Sequence, residues 1–181
     1  MAQSTKSEAG LFKMNRPIAL LLLLMISPFM VFVMFLCFLI DGRPVFFNQI
    51  RVGKGRQPFI VHKLRTMKNG HITWYGRILR KTGIDEVPQL WNIIKGEMSF
   101  IGPRPLTESD VNRLAWNSDY YNIRWDVTPG ITGLAQLTVL CHKKVTWFCD
   151  RYYVLNKSVK LDCWILIQTL KIVLMGKGDR R

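Results

Sequence analysis

The sequence predicts an α+β fold that is predominantly helical, a small globular domain following an N-terminal membrane helix. Three features of the chain carry this. Residues 18–40 form a run of about 23 residues without a charge, close to what a helix rising about 1.5 Å per residue needs to cross a bilayer core of about 30 Å. Residues 44–52 and 58–64 are rich in β-branched and aromatic side chains and are separated by Gly-Lys-Gly-Arg (53–56), the pattern of a β-hairpin with a basic loop. Apolar residues in 88–95, 106–125 and 161–175 recur with helical spacing. The 181 residues divide into a basic segment (1–17), the apolar run (18–40) and one globular domain (41–181).

Residues 1–16 are polar, carry Lys6, Lys13 and Arg16 against Glu8, and are expected to be loosely ordered or to lie on a membrane surface. Ser27-Pro28 interrupts the apolar run near its middle. A cleaved signal peptide is disfavoured, because the run is long and no small-residue cleavage site precedes Asp41-Gly42-Arg43-Pro44. A spanning anchor and a re-entrant helix–break–helix both remain open. Lys13 and Arg16 stand before the run and Arg43, Arg51, Lys54 and Arg56 after it, so charge sets no orientation. Pro28 either kinks the helix or breaks it, and the Ser27 hydroxyl can satisfy a carbonyl that Pro28 frees.

The hairpin ends at Lys63 and Arg65, which read as solvated strand-end charges or as the edge of a site. Residues 77–105 are chemically the densest stretch. Gly83 breaks a basic segment, Pro88 suits a first helical turn, Leu90, Trp91, Ile93 and Ile94 supply an apolar face, and Gly96 stops the helix. Asp85 and Glu86 therefore sit at or just before a helix N-terminus, where capping is the plainest role for an acid and competes with catalysis. Arg77, Arg80 and Lys81 precede the pair, and Arg104 follows between Pro103 and Pro105. Cations on both sides keep the carboxylates ionised and suit phosphate chemistry.

Residues 106–125 read as one amphipathic helix with Val111, Leu114, Ala115, Trp116, Tyr120 and Tyr121 on an aromatic face, core or membrane contact rather than a cofactor box. Residues 127–136, with Pro129, Gly130 and Gly133, read as a tight loop whose backbone N–H groups could hold an anion. A second aromatic stretch, 147–154, contains Asp150. Residues 161–175 read as an amphipathic helix in the core or the membrane interface, and Asp162 as its cap.

A formal net charge of +14 calls for an anionic partner: nucleic acid, anionic lipid or a phosphorylated substrate. No nucleic-acid-binding motif is present. Cys37, Cys141, Cys149 and Cys163 show neither CxxC nor His/Cys metal spacing, which argues against zinc or a disulfide framework and for reduced thiols facing the cytosol. His62, His71 and His142 are scattered without ligand spacing.

Six blocks occur in one order: Ser27-Pro28 in the apolar run, Pro-Val-Phe-Phe-Asn-Gln-Ile-Arg-Val-Gly (44–53), Lys-Leu-Arg-Thr-Met (63–67), Arg-Lys-Thr-Gly-Ile-Asp-Glu-Val-Pro-Gln-Leu-Trp-Asn (80–92), Gly-Glu-Met-Ser-Phe-Ile-Gly-Pro-Arg-Pro (96–105) and Pro-Gly-Ile-Thr-Gly-Leu-Ala-Gln (129–136). Over residues 17–175 the chain resembles the bacterial sugar transferases known as small monotopic phosphoglycosyl transferases. The resemblance implies transfer of a sugar 1-phosphate from a nucleotide diphosphate sugar, usually a UDP-sugar, to polyprenol phosphate. It implies a Mg²⁺-dependent ping-pong reaction that releases UMP and begins a lipid-linked glycan. Asp85 matches the nucleophile that becomes a phosphosugar-aspartyl intermediate, and Glu86 its partner carboxylate, with metal binding or proton transfer as its work; the two are the expected Mg²⁺ ligands. Lys63, Arg80 and Arg104 match basic, phosphate-binding positions, and Asp162 a supporting acid without an assigned role. The Ser-Pro break implies a re-entrant helix, a bacterial inner-membrane location and a domain on the cytoplasmic face. Donor, acceptor and membrane lipid are the expected partners, nucleic acid is not, and homo-oligomerisation is left open.

The chain departs from this pattern after residue 136. An Asn-Gly-Arg-Asn type loop is replaced by Leu-Thr-Val-Leu-Cys-His-Lys-Lys (137–144), so the loop's phosphate-binding Arg has no counterpart, and Lys143 or Lys144 would supply a point charge instead of a bidentate fork. An acidic residue usual in the first membrane turn is replaced near Ala19, and the linker from 67 to 77 is short. The altered loop is the feature that favours the alternative, a weakly active or inactive paralogue serving as a membrane-bound interaction module in glycan assembly.

Overall fold

The computed structural model describes residues 2–138 and 142–175. Helix α1 runs Ala2–Asp41, so the polar leader and the apolar run share one helix. The chain stays helical through Ser27-Pro28, where a break is expected. Pro28 cannot donate to the carbonyl of Leu24, four residues back, and the Ser27 hydroxyl donates to that carbonyl instead at 2.9 Å. The substitute bond explains why helix persists there.

After α1 come β1 (Phe46–Val52) and β2 (Pro58–Leu64), the expected antiparallel hairpin, paired from Phe46 opposite Leu64 to Val52 opposite Pro58. A second, minimal hairpin, β3 (Met67–Lys68) with β4 (His71–Ile72), leads into α2 (Trp74–Thr82). Gly83 closes α2 at φ +73, a conformation open to glycine, and begins a 3₁₀ helix, Ile84–Gln89, that feeds α3 (Leu90–Lys95). Pro88 lies inside that 3₁₀ helix instead of opening α3, so the carboxylate pair is one helical segment earlier than expected.

The next segment differs more. Strand β5 (Ser99–Ile101) pairs in parallel with β6 (Gly130–Thr132), where a loop is expected. Here the backbones cross almost in contact. A Cβ on Gly102 would lie 2.5 Å from the carbonyl oxygen of Thr128, and one on Gly130 would collide with the Gly102 nitrogen. The glycines of both motifs are therefore packing requirements as well as turn residues. Residues 106–125 form two elements, α4 (Glu108–Leu114) and a 3₁₀ helix Asp119–Trp125. The helix ends at Ala115, at φ +53, which turns Trp116 into a fully buried position against Trp125, Trp147 and Val111. Aromatic packing overrides the helical period. Helices α5 (Leu134–Leu137), α6 (Lys143–Asn156) and α7 (Val159–Leu174) complete the chain. Ser158, not Asp162, caps α7, its hydroxyl accepting from the Leu161 N–H.

Helix α1 packs along the globular body from Ala19 to Cys37. Ala19 and Leu23 meet Phe59, Val61, Leu90 and Ile93, while Met30, Val33 and Cys37 meet Leu64, Tyr75 and Leu79. The small Ala19 side chain allows close approach at the first contact. The other faces of α1 expose Leu21, Leu24, Met25, Phe32, Phe35 and Leu39, and Met14–Asp41 is long and apolar enough to cross a membrane by length and composition.

Asn92 joins α3 to the hairpin. Fully buried, it donates to the Ile60 carbonyl at 2.6 Å and to Glu97 at 2.7 Å, and accepts from the His62 N–H at 3.3 Å, so it completes the ladder at the edge of β2. Asn92→Leu keeps the volume and takes the partner from the Ile60 carbonyl, the His62 N–H and the Glu97 carboxylate, all of them partly buried bonds; it is expected to cost about 1–3 kcal/mol. Denaturant unfolding in detergent measures this, and a loss below about 1 kcal/mol would contradict the role.

Candidate active site

A cleft of about 380 Å³ opens between the hairpin, α2 and the 3₁₀ turn. Strand alternation points Phe47, Gln49 and Arg51 into it from β1, with Lys63 facing Phe47 across the ladder. Arg65 and Thr66 follow from the segment after β2, Met67 from β3, Arg80 from α2, Asp85 and Glu86 from the 3₁₀ turn, and Arg104 from the loop after β5. A small extension lined by Gln89, Gly130, Ile131 and Gln136 shares Arg51, Lys63, Glu86 and Arg104 with the main cleft.

Five cations thus line the cleft with two carboxylates, an arrangement that draws anions. Asp85 is buried to 8% exposure. Gly83 occupies the cap position of its 3₁₀ helix, so Asp85 is not the N-cap and the capping role does not apply to it. Glu86 holds an ion pair with Lys63 at 2.8 Å. Arg80 donates through Nε to the Thr66 hydroxyl at 2.9 Å, which aims its fork. Arg51 donates to the Pro105 carbonyl at 3.0 Å and pairs with Asp110 at 3.7 Å. Burial lowers the Arg51 pKa from its ordinary value, and Asp110 and Glu86 oppose the shift.

Arg65 ties the cleft to the end of α1. Its Nη2 donates to the Asp41 carbonyl at 2.9 Å and its carboxylate at 3.2 Å, and the same carboxylate takes bonds from Lys68 at 2.6 Å and Tyr75 at 2.9 Å.

Lys63, Arg80, Asp85, Glu86 and Arg104, chosen from sequence, all come together here. Asp162 does not line the cleft. It accepts from the Tyr153 hydroxyl at 2.9 Å, and that hydroxyl also lies 3.3 Å from the carbonyl of Ile101, at the end of β5. Burial raises the Asp162 pKa and the Tyr153 bond works against it. Support at a distance is what this geometry offers. A second brace is the buried pair Arg124–Asp150 at 2.8 Å, whose guanidinium also donates to the Arg104 carbonyl. Sequence reading passed over Arg51, Thr66 and Arg124. Arg51 was within reach, since it shares a strand face with the residue opposite Lys63; nothing local marked Arg124.

Of the altered segment 137–144, residues 139–141, Cys141 included, lie outside the described residues. Lys143 and Lys144 are exposed at the start of α6, where the His142 ring accepts from the Lys144 N–H, and neither lines the cleft. Cys37, Cys149 and Cys163 are free thiols. Among the described residues no group of three His, Cys, Asp or Glu side chains could hold a metal. Mg²⁺ commonly binds through one or two carboxylates and completes its shell with substrate phosphates and water, and Asp85 with Glu86 fit that donor set.

The family profile described as bacterial sugar transferase matches residues 12–176. The chain is 35% identical over 173 residues to the UDP-N-acetylgalactosamine-undecaprenyl-phosphate N-acetylgalactosaminephosphotransferase of Aeromonas hydrophila, covering 85% of this chain and 41% of that protein. It is 38% identical over 153 residues to the uncharacterized sugar transferase EpsL of Bacillus subtilis, covering 76% and 73%. It is 36% identical over 145 residues to the UDP-glucose:undecaprenyl-phosphate glucose-1-phosphate transferase of Caulobacter vibrioides, covering 72% and 54%. The chain therefore spans about two fifths of the Aeromonas relative and about half of the Caulobacter one.

Proposed function

From the premise that the chain belongs to the bacterial sugar transferase family, we propose that it transfers a sugar 1-phosphate from a UDP-sugar to polyprenol phosphate, giving polyprenyl diphosphate-sugar and UMP. The carrying observation is the Asp85-Glu86 pair set among five cations in one cleft. The Aeromonas and Caulobacter relatives, whose names state a UDP-sugar donor and an undecaprenyl-phosphate acceptor, favour the same substrates.

The reaction runs in two displacements. An Asp85 oxygen attacks the sugar-bearing phosphorus, the bond from that phosphorus to the bridging oxygen breaks, and UMP leaves with the electron pair. The acyl phosphate so formed on Asp85 is then attacked by an oxygen of polyprenol phosphate, and cleavage of its bond to Asp85 restores the carboxylate. Arg80, Arg104, Arg51 and Lys63 hold the phosphoryl oxygens and offset charge as it develops. Glu86 keeps Lys63 in place and shares metal binding with Asp85. Asp85 and Glu86 would hold Mg²⁺, whose charge would offset that of the phosphates.

The membrane reading is a monotopic one, with α1 re-entering by a bend at Pro28 instead of a break in the helix, and the domain on the cytoplasmic face of a bacterial inner membrane. It is supported by the contacts of α1: residues from Ala19 to Cys37 pack on the same body that binds Asp41. A straight span would carry that body, with its charged cleft, into the bilayer. The exposed apolar faces of α1 are left for lipid.

The test is UMP release from a panel of UDP-sugars by the purified full chain in detergent, with Mg²⁺ and undecaprenyl phosphate. Release that depends on one or a few donors is expected. A folded protein that releases UMP from none of them overturns the reading in favour of an interaction module.

A further inference from the structure

The cleft is graded along its length. On the β1 face that lines it, Phe47, Gln49 and Arg51 follow in order, apolar to polar to cationic. Phe47 and Arg51 stand about 13 Å apart at about 3.3 Å per residue. The two ends have different neighbours. The Arg51 end is joined to the loop after β5, through the Arg51 bond to the Pro105 carbonyl and the pairing of Val52 with Leu106. The Phe47 end adjoins the C-terminus of α1. Arg65 there donates its backbone N–H to Val45 and its guanidinium to the carbonyls of Asp41, Gly42 and Arg43, while Lys68, next to Met67, binds the Asp41 carboxylate.

Two large apolar side chains line the cationic cleft at that end and stay exposed, Phe47 at 48% and Met67 at 40%. They form an apolar lip on an otherwise charged cleft. Beside them the guanidinium groups of Arg65 and Arg80 line the same end of the cleft. An apolar lip next to guanidinium groups, beside the end of an apolar helix, matches a ligand with a phosphate head and a hydrocarbon chain.

Resting on the transferase reading above, we propose that the α1 end of the cleft is the acceptor's subsite. Phe47 and Met67 hold the first isoprene units of the polyprenyl chain, Arg65 and Arg80 meet its phosphate, and the donor's UMP portion lies toward Arg51 and Arg104. Donor and acceptor thus approach Asp85 from opposite ends of one cleft. The lipid reaches it past the C-terminal end of α1.

The experiment separates the two half-reactions of the full chain in detergent. Donor alone gives single-turnover UMP release, and undecaprenyl phosphate is then added. Phe47→Ser combined with Met67→Ser is expected to leave the donor half-reaction within about twofold of wild type. The same pair should raise the KM for undecaprenyl phosphate by about tenfold, the loss of one to two buried apolar contacts. Phe47→Leu with Met67→Leu, which keeps the apolar lip, should retain the wild-type KM. An unchanged acceptor KM in the serine pair, or an equal loss in both half-reactions that the leucine pair shares, overturns the subsite. Absence of UMP release by wild type is a different failure, that of the transferase reading itself.

Discussion

Asp85→Asn is expected to lower UMP release by roughly three orders of magnitude or more and to abolish covalent phosphosugar labelling, because the amide cannot act as the nucleophile. The fold should survive. The amide is isosteric with the carboxylate, and the 3₁₀ turn that carries it is begun by Gly83 without side-chain capping, so no cap is lost. The measurement pairs radiolabelled UDP-sugar trapping with a thermal melt of the same preparation. Glu86→Gln supplies the contrast. Its neighbour's nucleophile is intact, so labelling should persist at a reduced rate, with Lys63 released from its 2.8 Å partner. An Asp85→Asn variant that melts like wild type and still becomes labelled would move the nucleophile elsewhere.

The candidate site was more legible in sequence than the fold that builds it. Asp85-Glu86, Lys63, Arg80 and Arg104 stand out because they match the site positions of the family that the chain resembles; read alone, capping competes for the acids and a solvated strand end for Lys63. The structure gathers all five into one cleft. The hairpin was legible for a local reason, two β-rich runs around a Gly-containing loop. What escaped is non-local. β5 and β6 have three residues each and pair in parallel across two intervening helical segments, so no periodicity announces them. The end of α4 at Ala115 follows from packing of Trp116 against aromatic residues that include Trp147, 31 positions away. Asp162 looked like a cap because acids begin many helices, yet Ser158 was four residues earlier and took that place, which freed Asp162 for Tyr153. In the same way Arg51 was visible as a charge but not as a ligand-facing one until the strand register fixed its side.

The buried Arg124–Asp150 pair allows stability and positioning to be separated. Both residues are 2% exposed, and the Arg124 guanidinium lies 4.8 Å from the Trp125 ring centre and 5.5 Å from that of Trp116. Burial pushes the Asp150 carboxyl pKa up, and the guanidinium pulls against it. Arg124→Met leaves that carboxylate without its partner and is expected to cost about 3–5 kcal/mol. Combining it with Asp150→Leu removes both charges and should recover most of the loss, since apolar replacement of a whole buried pair is often neutral or stabilising. Activity distinguishes the roles. If the pair only stabilises the domain, turnover returns with the melting temperature. If Arg124 also fixes the Arg104 carbonyl, and through it the guanidinium facing the donor, the double variant folds but its kcat/KM for the UDP-sugar stays down about ten- to a hundredfold, the scale of a misplaced binding group. The second outcome is expected, because the Arg104 carbonyl loses a charge-assisted bond for which neither Met nor Leu has a donor.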